Sequence, residues 1–262
     1  MNDLKEKVVV ITGGSSGIGL AIVKQLLNTE IKFLAMFELD HENSRKIVKD
    51  LEKVYKSKIG LYPCDVSKTS QLEENFEKVF QTYNTVDILI NNAGIAHEDN
   101  PELMMDVNYK AVVLASLMVI KRIGKHKGGE GGTIVNIAST LGLQNIFYPI
   151  YCSTKHAVVS FTRTMEQHYE TTGVRVVAIC PGLTDTPILD TTYNNLEFNT
   201  YYLMDISSLK KQSPDTVAAA VMKIIKEGNC GSVWVVDNDE PPFAVKYHPQ
   251  IDLLANSIKS NL

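Results

Sequence analysis

The chain has 262 residues, 44% of them hydrophobic, which is enough to bury a sizeable core and fits one large α/β domain better than two small ones. Its 26 basic and 30 acidic residues leave a formal charge of −4, arguing against the basic surplus that coats nucleic acid. The four scattered cysteines, Cys64, Cys152, Cys180 and Cys230, form no CxxC pair and accompany no histidine at ligand spacing, which argues against a disulfide framework or a metal site and for reduced thiols.

In chain order, short β-branched runs alternate with longer amphipathic stretches. MNDLKEK is charged and leads directly into VVVIT (8–12), without the apolar segment of a signal peptide. A helical pattern follows from Gly17 to Leu27, then FLAMF (33–37), the helix SRKIVKDLEKVY, IGLYPCD (59–65) and the helix SQLEENFEKVFQTY. VDILIN (86–91), a helix over roughly 101–123, TIVNIAS (133–139), a helix over about 149–170 and VRVVAICP (174–181) continue the rhythm, and VAAAVMKIIKEG leads into SVWVVD (232–237). Continuous apolar strands separated by helices are buried on both faces, so the pattern predicts a single doubly wound Rossmann-type domain over 1–262, with seven parallel strands and helices on both sides. No unbroken apolar run approaches the ~18 residues of a membrane helix, so a cytoplasmic chain with no membrane partner is expected. The segment 187–212 breaks the rhythm and reads as a substrate loop or lid.

TGGSSGIG (12–19) lies between the first strand and the first helix, where a glycine turn lets a pyrophosphate meet backbone N–H groups at a helix start. The candidate contacts are Gly13, Ser15, Ser16, Gly17, Ile18 and Gly19; the alternative is a purely structural turn. A carboxylate about 20 residues further on would accept hydrogen bonds from the adenosine ribose. Glu38 is 19 residues past Gly19 and Asp40 is 21 past, with no lysine or arginine among the neutral and acidic residues FLAMFELD to neutralise a 2′-phosphate. NAD is therefore expected over NADP, unless these carboxylates only solvate a turn.

Of eleven tyrosines, only Tyr151 is followed by a lysine four positions on, Lys155. On a helix this spacing stacks the two side chains on one face. Pro149 disfavours helical geometry at Tyr148 and suits the first helical position, so Tyr148 should lie outside the helix. An ammonium about 4 Å from a phenol, at an effective dielectric near 20, is worth roughly 4 kcal/mol, or about 3 pKa units, which would bring Tyr151 towards neutrality. Ser139, at the end of TIVNIAST, puts a hydroxyl at the same sheet edge as the glycine loop, able to steady charge on a carbonyl oxygen or merely to cap the strand.

Together these residues resemble the short-chain dehydrogenases/reductases: TGGSSGIG, the NNAG at 91–94, Ser139, YCSTK and the PG at 181–182 occur in family order along nearly the whole chain. Within the family the likeness is greatest to NAD-linked 15-hydroxyprostaglandin dehydrogenase and insect alcohol dehydrogenase-like members, although Phe37 stands where these carry an aspartate. The resemblance implies that Asn108 joins Ser139, Tyr151 and Lys155 in catalysis through a water relay, and that Lys155 also grips the nicotinamide ribose. It further implies that Asp65 and Val66 meet the adenine, that Asn92, Ala93 and Gly94 line its ribose, and that Pro181, Gly182, Thr184 and Thr186 hold the carboxamide end. Subunit contacts are implied along the helices near 101–123 and 149–170, giving a homodimer or homotetramer.

The expected reaction is hydride transfer between NAD(H) and a secondary alcohol or ketone. Gln144, Phe147, Tyr148, Leu189, Tyr193, Phe198, Tyr201, Tyr202 and Met204 suit a lipophilic substrate, steroid, prostanoid or terpenoid, better than a sugar. The rival readings are an NADPH-dependent ketone reductase, which would want a basic residue near 37–39, and a non-catalytic dinucleotide sensor, which would tolerate loss of the Ser–Tyr–Lys set.

Overall fold

The computed structural model describes residues 4–146, 148–189 and 209–246. Its strands are β1 (Val8–Thr12), β2 (Phe33–Glu38), β3 (Ile59–Pro63), β4 (Ile88–Asn91), β5 (Gly132–Ile137), β6 (Val174–Pro181), β7 (Val233–Val236) and β8 (Phe243–Ala244). They form one sheet in the order β3-β2-β1-β4-β5-β6-β7-β8. The first seven strands are parallel, as the alternating pattern predicts; β8 adds an antiparallel edge strand that was not expected. Two exposed residues carry too little periodicity to announce a strand, and β8 exists only by pairing with β7.

The helices are α1 (Gly17–Leu27), α2 (Glu42–Tyr55), α3 (Thr69–Tyr83), α4 (Pro101–Met105), α5 (Ala111–Ile123), α6 (Pro149–Thr164), α7 (Tyr169–Thr172) and α8 (Pro214–Glu227). The one long helix expected over 101–123 is α4 and α5 joined by a π turn, Asp106–Lys110. That expected over 149–170 is interrupted at Met165–His168 by a tighter turn. The stretch Pro101–Ile123 has the length and mean hydropathy, 1.6, of a membrane crossing, but half of it is buried, as in a helix packed on a sheet.

Strand alternation assigns the two faces. Val9, Ile11, Leu34 and Met36 point to a core shared with α1, α2 and α8, while Val8, Val10, Phe33, Ala35 and Phe37 point to one shared with α3 and α5. A third cluster joins Val112 of α5 to Val158 and Val159 of α6 and to Ala178 and Cys180 of β6. The strand order reverses between β1 and β4, so the carboxyl ends of these strands open the crevice where ligands bind in folds of this type.

Candidate active site

The glycine loop leaves β1 at that crevice. Gly13 and Gly17 have φ of +68° and +48°, and a Cβ on Gly19 would lie 2.0 Å from the Gly13 carbonyl oxygen. Asn92 fastens the loop from the end of β4: its Nδ2 donates to the carbonyls of Thr12 (3.1 Å) and Gly13 (2.7 Å), while the N–H groups of Asn92 and Ala93 donate to Thr12 Oγ1 at 3.0 Å each. Helix α1 begins without a side-chain cap and without an acidic residue in its first turn, so its positive end is open to an anion. A close-approach glycine turn at an uncapped helix start fits a pyrophosphate.

The carboxylate beside this loop is Glu38. Its Oε2 accepts the Ser15 N–H at 2.9 Å and its Oε1 accepts that of Leu39 at 2.9 Å. Phe37, one position earlier, points to the opposite face and is wholly buried. Asp40 is held by Arg45 in an exposed pair instead, which keeps its carboxyl below the usual range. Asp65 Oδ1 accepts from the N–H (3.0 Å) and hydroxyl (2.7 Å) of Ser67, fixing the turn after β3, with Val66 buried beside it. At the other end of the crevice, Thr184 donates to the Gly182 carbonyl at 2.9 Å. Thr186 meets the glycine loop itself: a Cβ on Gly17 would be 3.0 Å from its Cγ2. Thr186 and Gly17, expected at the two ends of a dinucleotide, are therefore neighbours.

Tyr151 and Lys155 share a face of α6, which begins at Pro149 with Tyr148 outside it as the N-cap residue. The Ser139 hydroxyl lies near enough to the Tyr151 phenol to favour its ionised form, and Ser139 Oγ accepts the Leu141 N–H at 3.1 Å. Lys155 is buried; its Nζ lies 5.6 Å from the centre of the Tyr151 ring and donates to the Ile137 carbonyl at 3.0 Å. Gly94 separates Lys155 from Asn108, since a Cβ there would stand 3.5 Å from Lys155 Nζ and 3.4 Å from Asn108 Oδ1.

One expectation needs correction. The phenol is not drawn towards neutrality: burial pushes Tyr151 up to about 12 against the opposing effect of the Ser139 hydroxyl. Burial also brings Lys155 down to about 8, so desolvation outweighs attraction in a pair where the ammonium lies over the ring. The amide of Asn108 is, moreover, largely committed. Its Oδ1 accepts the Ile95 N–H (2.9 Å), and its Nδ2 donates to the Ile95 carbonyl (2.8 Å) and to Thr154 Oγ1 (3.3 Å).

Among the expected substrate contacts, Gln144 is exposed and Tyr148 and Leu189 are half-buried, whereas Phe147, Tyr193, Phe198, Tyr201, Tyr202 and Met204 lie outside the described residues. Tyr148 lines a cavity of about 470 Å³ with Ile146, Pro149, Cys152 and His156. Sequence reasoning missed Glu98 and Thr154, which hold the backbone of Tyr151. The available signal was a helix opening Tyr-Pro, which has no capping side chain of its own and needs one from elsewhere.

Residues 7–197 match the short chain dehydrogenase family. The chain is a member of that family. It is 33% identical over 231 residues, 84% of this chain and 86% of the relative, to 15-hydroxyprostaglandin dehydrogenase (NAD(+)) of Mus musculus. It is 32% identical over 240 residues, 88% and 92% of the two chains, to alcohol dehydrogenase 1 of Ceratitis capitata. Among solved structures, the 3-ketoacyl-(acyl-carrier-protein) reductase of Brucella melitensis complexed with NADH is similar, with a TM-score of 0.76 and 25% identity over 90% of this chain and 98% of that one. This short-chain dehydrogenase is thus an oxidoreductase that uses a nicotinamide dinucleotide on a small-molecule alcohol or carbonyl substrate.

Proposed function

We propose that this short-chain dehydrogenase catalyses the reversible, NAD-linked oxidation of a lipophilic secondary alcohol to a ketone through Ser139, Tyr151 and Lys155. The observation that carries the reading is the buried Lys155 ammonium 5.6 Å from the centre of the Tyr151 ring, with Ser139 at the carboxyl end of β5 beside them. Tyr151 removes the hydroxyl proton during oxidation and returns it during reduction. Ser139 holds the substrate oxygen against the phenol and steadies its charge. Lys155 orients the nicotinamide ribose, favours the phenolate and passes the proton on towards Asn108. When bound, the cofactor accepts or gives hydride at C4 of its nicotinamide, and the positive charge of the oxidised ring favours the phenolate.

Glu38 supports NAD over NADP, because its carboxylate stands beside the Ser15 N–H, where a 2′-phosphate would be repelled. A lipophilic substrate is supported by the half-buried Tyr148 and Leu189 and by the relatives' names, a hydroxyprostaglandin and an alcohol dehydrogenase. A homodimer or homotetramer is supported by Leu103, Met105, Tyr109 and Leu117, large side chains exposed along α4, the π turn and α5; size-exclusion chromatography with light scattering giving only a monomer would refute it. The free, mostly buried cysteines suit a cytoplasmic enzyme.

The test is a panel of secondary alcohols (2-octanol, menthol, a 17β-hydroxysteroid and a 15-hydroxy fatty acid) assayed with NAD and NADP at the reduced-nicotinamide band. Turnover with NAD that disappears in Tyr151→Phe while NADH still binds supports the reading. Undiminished kcat in that variant refutes it.

A further inference from the structure

We propose that Glu98, on the segment between β4 and α4, is a positioning residue for Tyr151 that couples the edge of the cofactor groove to the proton-transferring phenol. This rests on the reading of Tyr151 as the proton-transfer group.

Helix α6 opens with unmet donors. Pro149 has no N–H, Tyr148 supplies no capping side chain, and bonding within the helix begins with Cys152 N–H to the Tyr148 carbonyl at 2.8 Å. Only the N–H groups of Ile150 and Tyr151 remain to be satisfied, and one remote carboxylate takes both. Glu98 Oε2 accepts from Ile150 at 3.0 Å and Oε1 from Tyr151 at 2.7 Å. A carboxylate at this position also meets the positive end of the helix.

A local serine or aspartate at position 148 would cap the helix equally well. What a local cap would not do is close the circuit in which Glu98 takes part. The Tyr151 carbonyl accepts from Thr154 Oγ1 at 2.8 Å, and Thr154 Oγ1 in turn accepts from Asn108 Nδ2. Asn108 grips both backbone groups of Ile95, three residues before Glu98. Both main-chain groups of Tyr151 are therefore held, the N–H by Glu98 and the C=O by Thr154, and both holds return to the segment that continues Asn92, Ala93 and Gly94. A shift of Ile95–Glu98 moves the start of α6, and with it the phenol relative to Ser139. Misplacement of a reacting group by about 1 Å can cost on the order of a hundredfold in rate.

The experiment uses the full-length enzyme and the alcohol of the panel that the wild type oxidises fastest. In Glu98→Ala, Glu98→Gln and Thr154→Val, kcat, KM, the dissociation constant for NADH by fluorescence, and Tm are measured, with assays run well below each Tm. Glu98→Ala and Thr154→Val should each lower kcat about tenfold or more, with KM and NADH binding within twofold of wild type. Glu98→Gln, which keeps one acceptor oxygen, should fall between, and it carries the test alone if Glu98→Ala does not accumulate as folded protein. Loss of Tm with kcat within twofold would show a stabilising cap only and overturn the inference, as would a fall in kcat matched by an equal weakening of NADH binding. Turnover retained in Tyr151→Phe would remove the acid–base reading and this inference with it; an inactive Tyr151→Phe beside a fully active Glu98→Ala would remove this inference alone.

Discussion

The ammonium of Lys155 lies 5.6 Å from the centre of the Tyr151 ring, over its face, and donates to the carbonyl of Ile137. This differs from an ion pair at the phenol oxygen, and the titration of both groups follows from burial. Tyr151 is raised to about 12 and Lys155 lowered to about 8, each towards its neutral form. In the protein alone the pair stands as phenol beside a readily neutralised amine. Ionising the phenol requires a further favourable charge, which a bound oxidised nicotinamide would supply.

The Ser139 hydroxyl opposes the rise in the Tyr151 titration that burial causes. Ser139→Ala removes that hydroxyl, which is the donor proposed for the substrate oxygen. By the usual worth of such a donor, kcat should fall about 100-fold or more. The dissociation constant for NADH should stay within about twofold, because Ser139 lies outside the glycine loop. Steady-state kinetics and fluorescence titration check this; a loss confined to KM would show that Ser139 only binds.

Lys155 predicts a pH dependence of stability. Its folded pKa, about 8, lies below its ordinary 10.5, so between these values the unfolded chain binds the extra proton and stability rises with pH. The buried thiols act oppositely, since Cys64 and Cys180 titrate near 11 and 12 when folded against 9 ordinarily and burial raises Cys230 too. Between pH 8 and 9 Lys155 should contribute a gain of about 1 kcal/mol, which the thiols offset by a comparable amount. The wild-type urea midpoint should therefore stay nearly level across that window while that of Lys155→Met falls. An equal slope in both would show that Lys155 is not the titrating group.

Periodicity made the seven parallel strands legible, because β1 to β7 are apolar on both faces and separated by helix-length intervals. The Tyr151–Lys155 face was legible because four-residue spacing on a helix is a local relation. The circuit through Glu98 was not: Glu98 and Tyr151 lie 53 residues apart, and only the packing of the β4–α4 segment on α6 brings carboxylate and backbone together. The titration of Tyr151 was misjudged because spacing reports proximity and is silent on desolvation. The π turn that places Asn108 has no sequence signature, since DVNYK reads as ordinary helix.

Glu38 predicts cofactor choice. Its two carboxylate oxygens each accept one backbone N–H, leaving lone pairs on the groove side for a ribose hydroxyl. Glu38→Gln removes the charge at nearly constant size. The ratio of kcat/KM for NAD to that for NADP should then fall at least tenfold, about 1.4 kcal/mol, by weaker ribose binding and relieved repulsion of a 2′-phosphate. Competition kinetics with both cofactors measures this; an unchanged ratio would place the determinant elsewhere.

The family resemblance leads to the expectation of an aspartate at the position of Phe37, and the strand's alternation explains how a phenylalanine is accommodated. It is 0% exposed, with its ring centre 4.9 Å from that of Phe76 on α3 and 5.7 Å from that of Tyr62 on β3. The Glu38 side chain emerges on the other face, where its carboxylate accepts the Ser15 N–H. Phe37→Ala should cost about 3–5 kcal/mol of stability through the cavity left among these rings. The folded variant should keep the wild-type NAD to NADP ratio, because the carboxylate beside the glycine loop is untouched. Urea denaturation and the same competition kinetics separate the two effects: a stable variant with altered cofactor preference would mean that position 37 faces the groove.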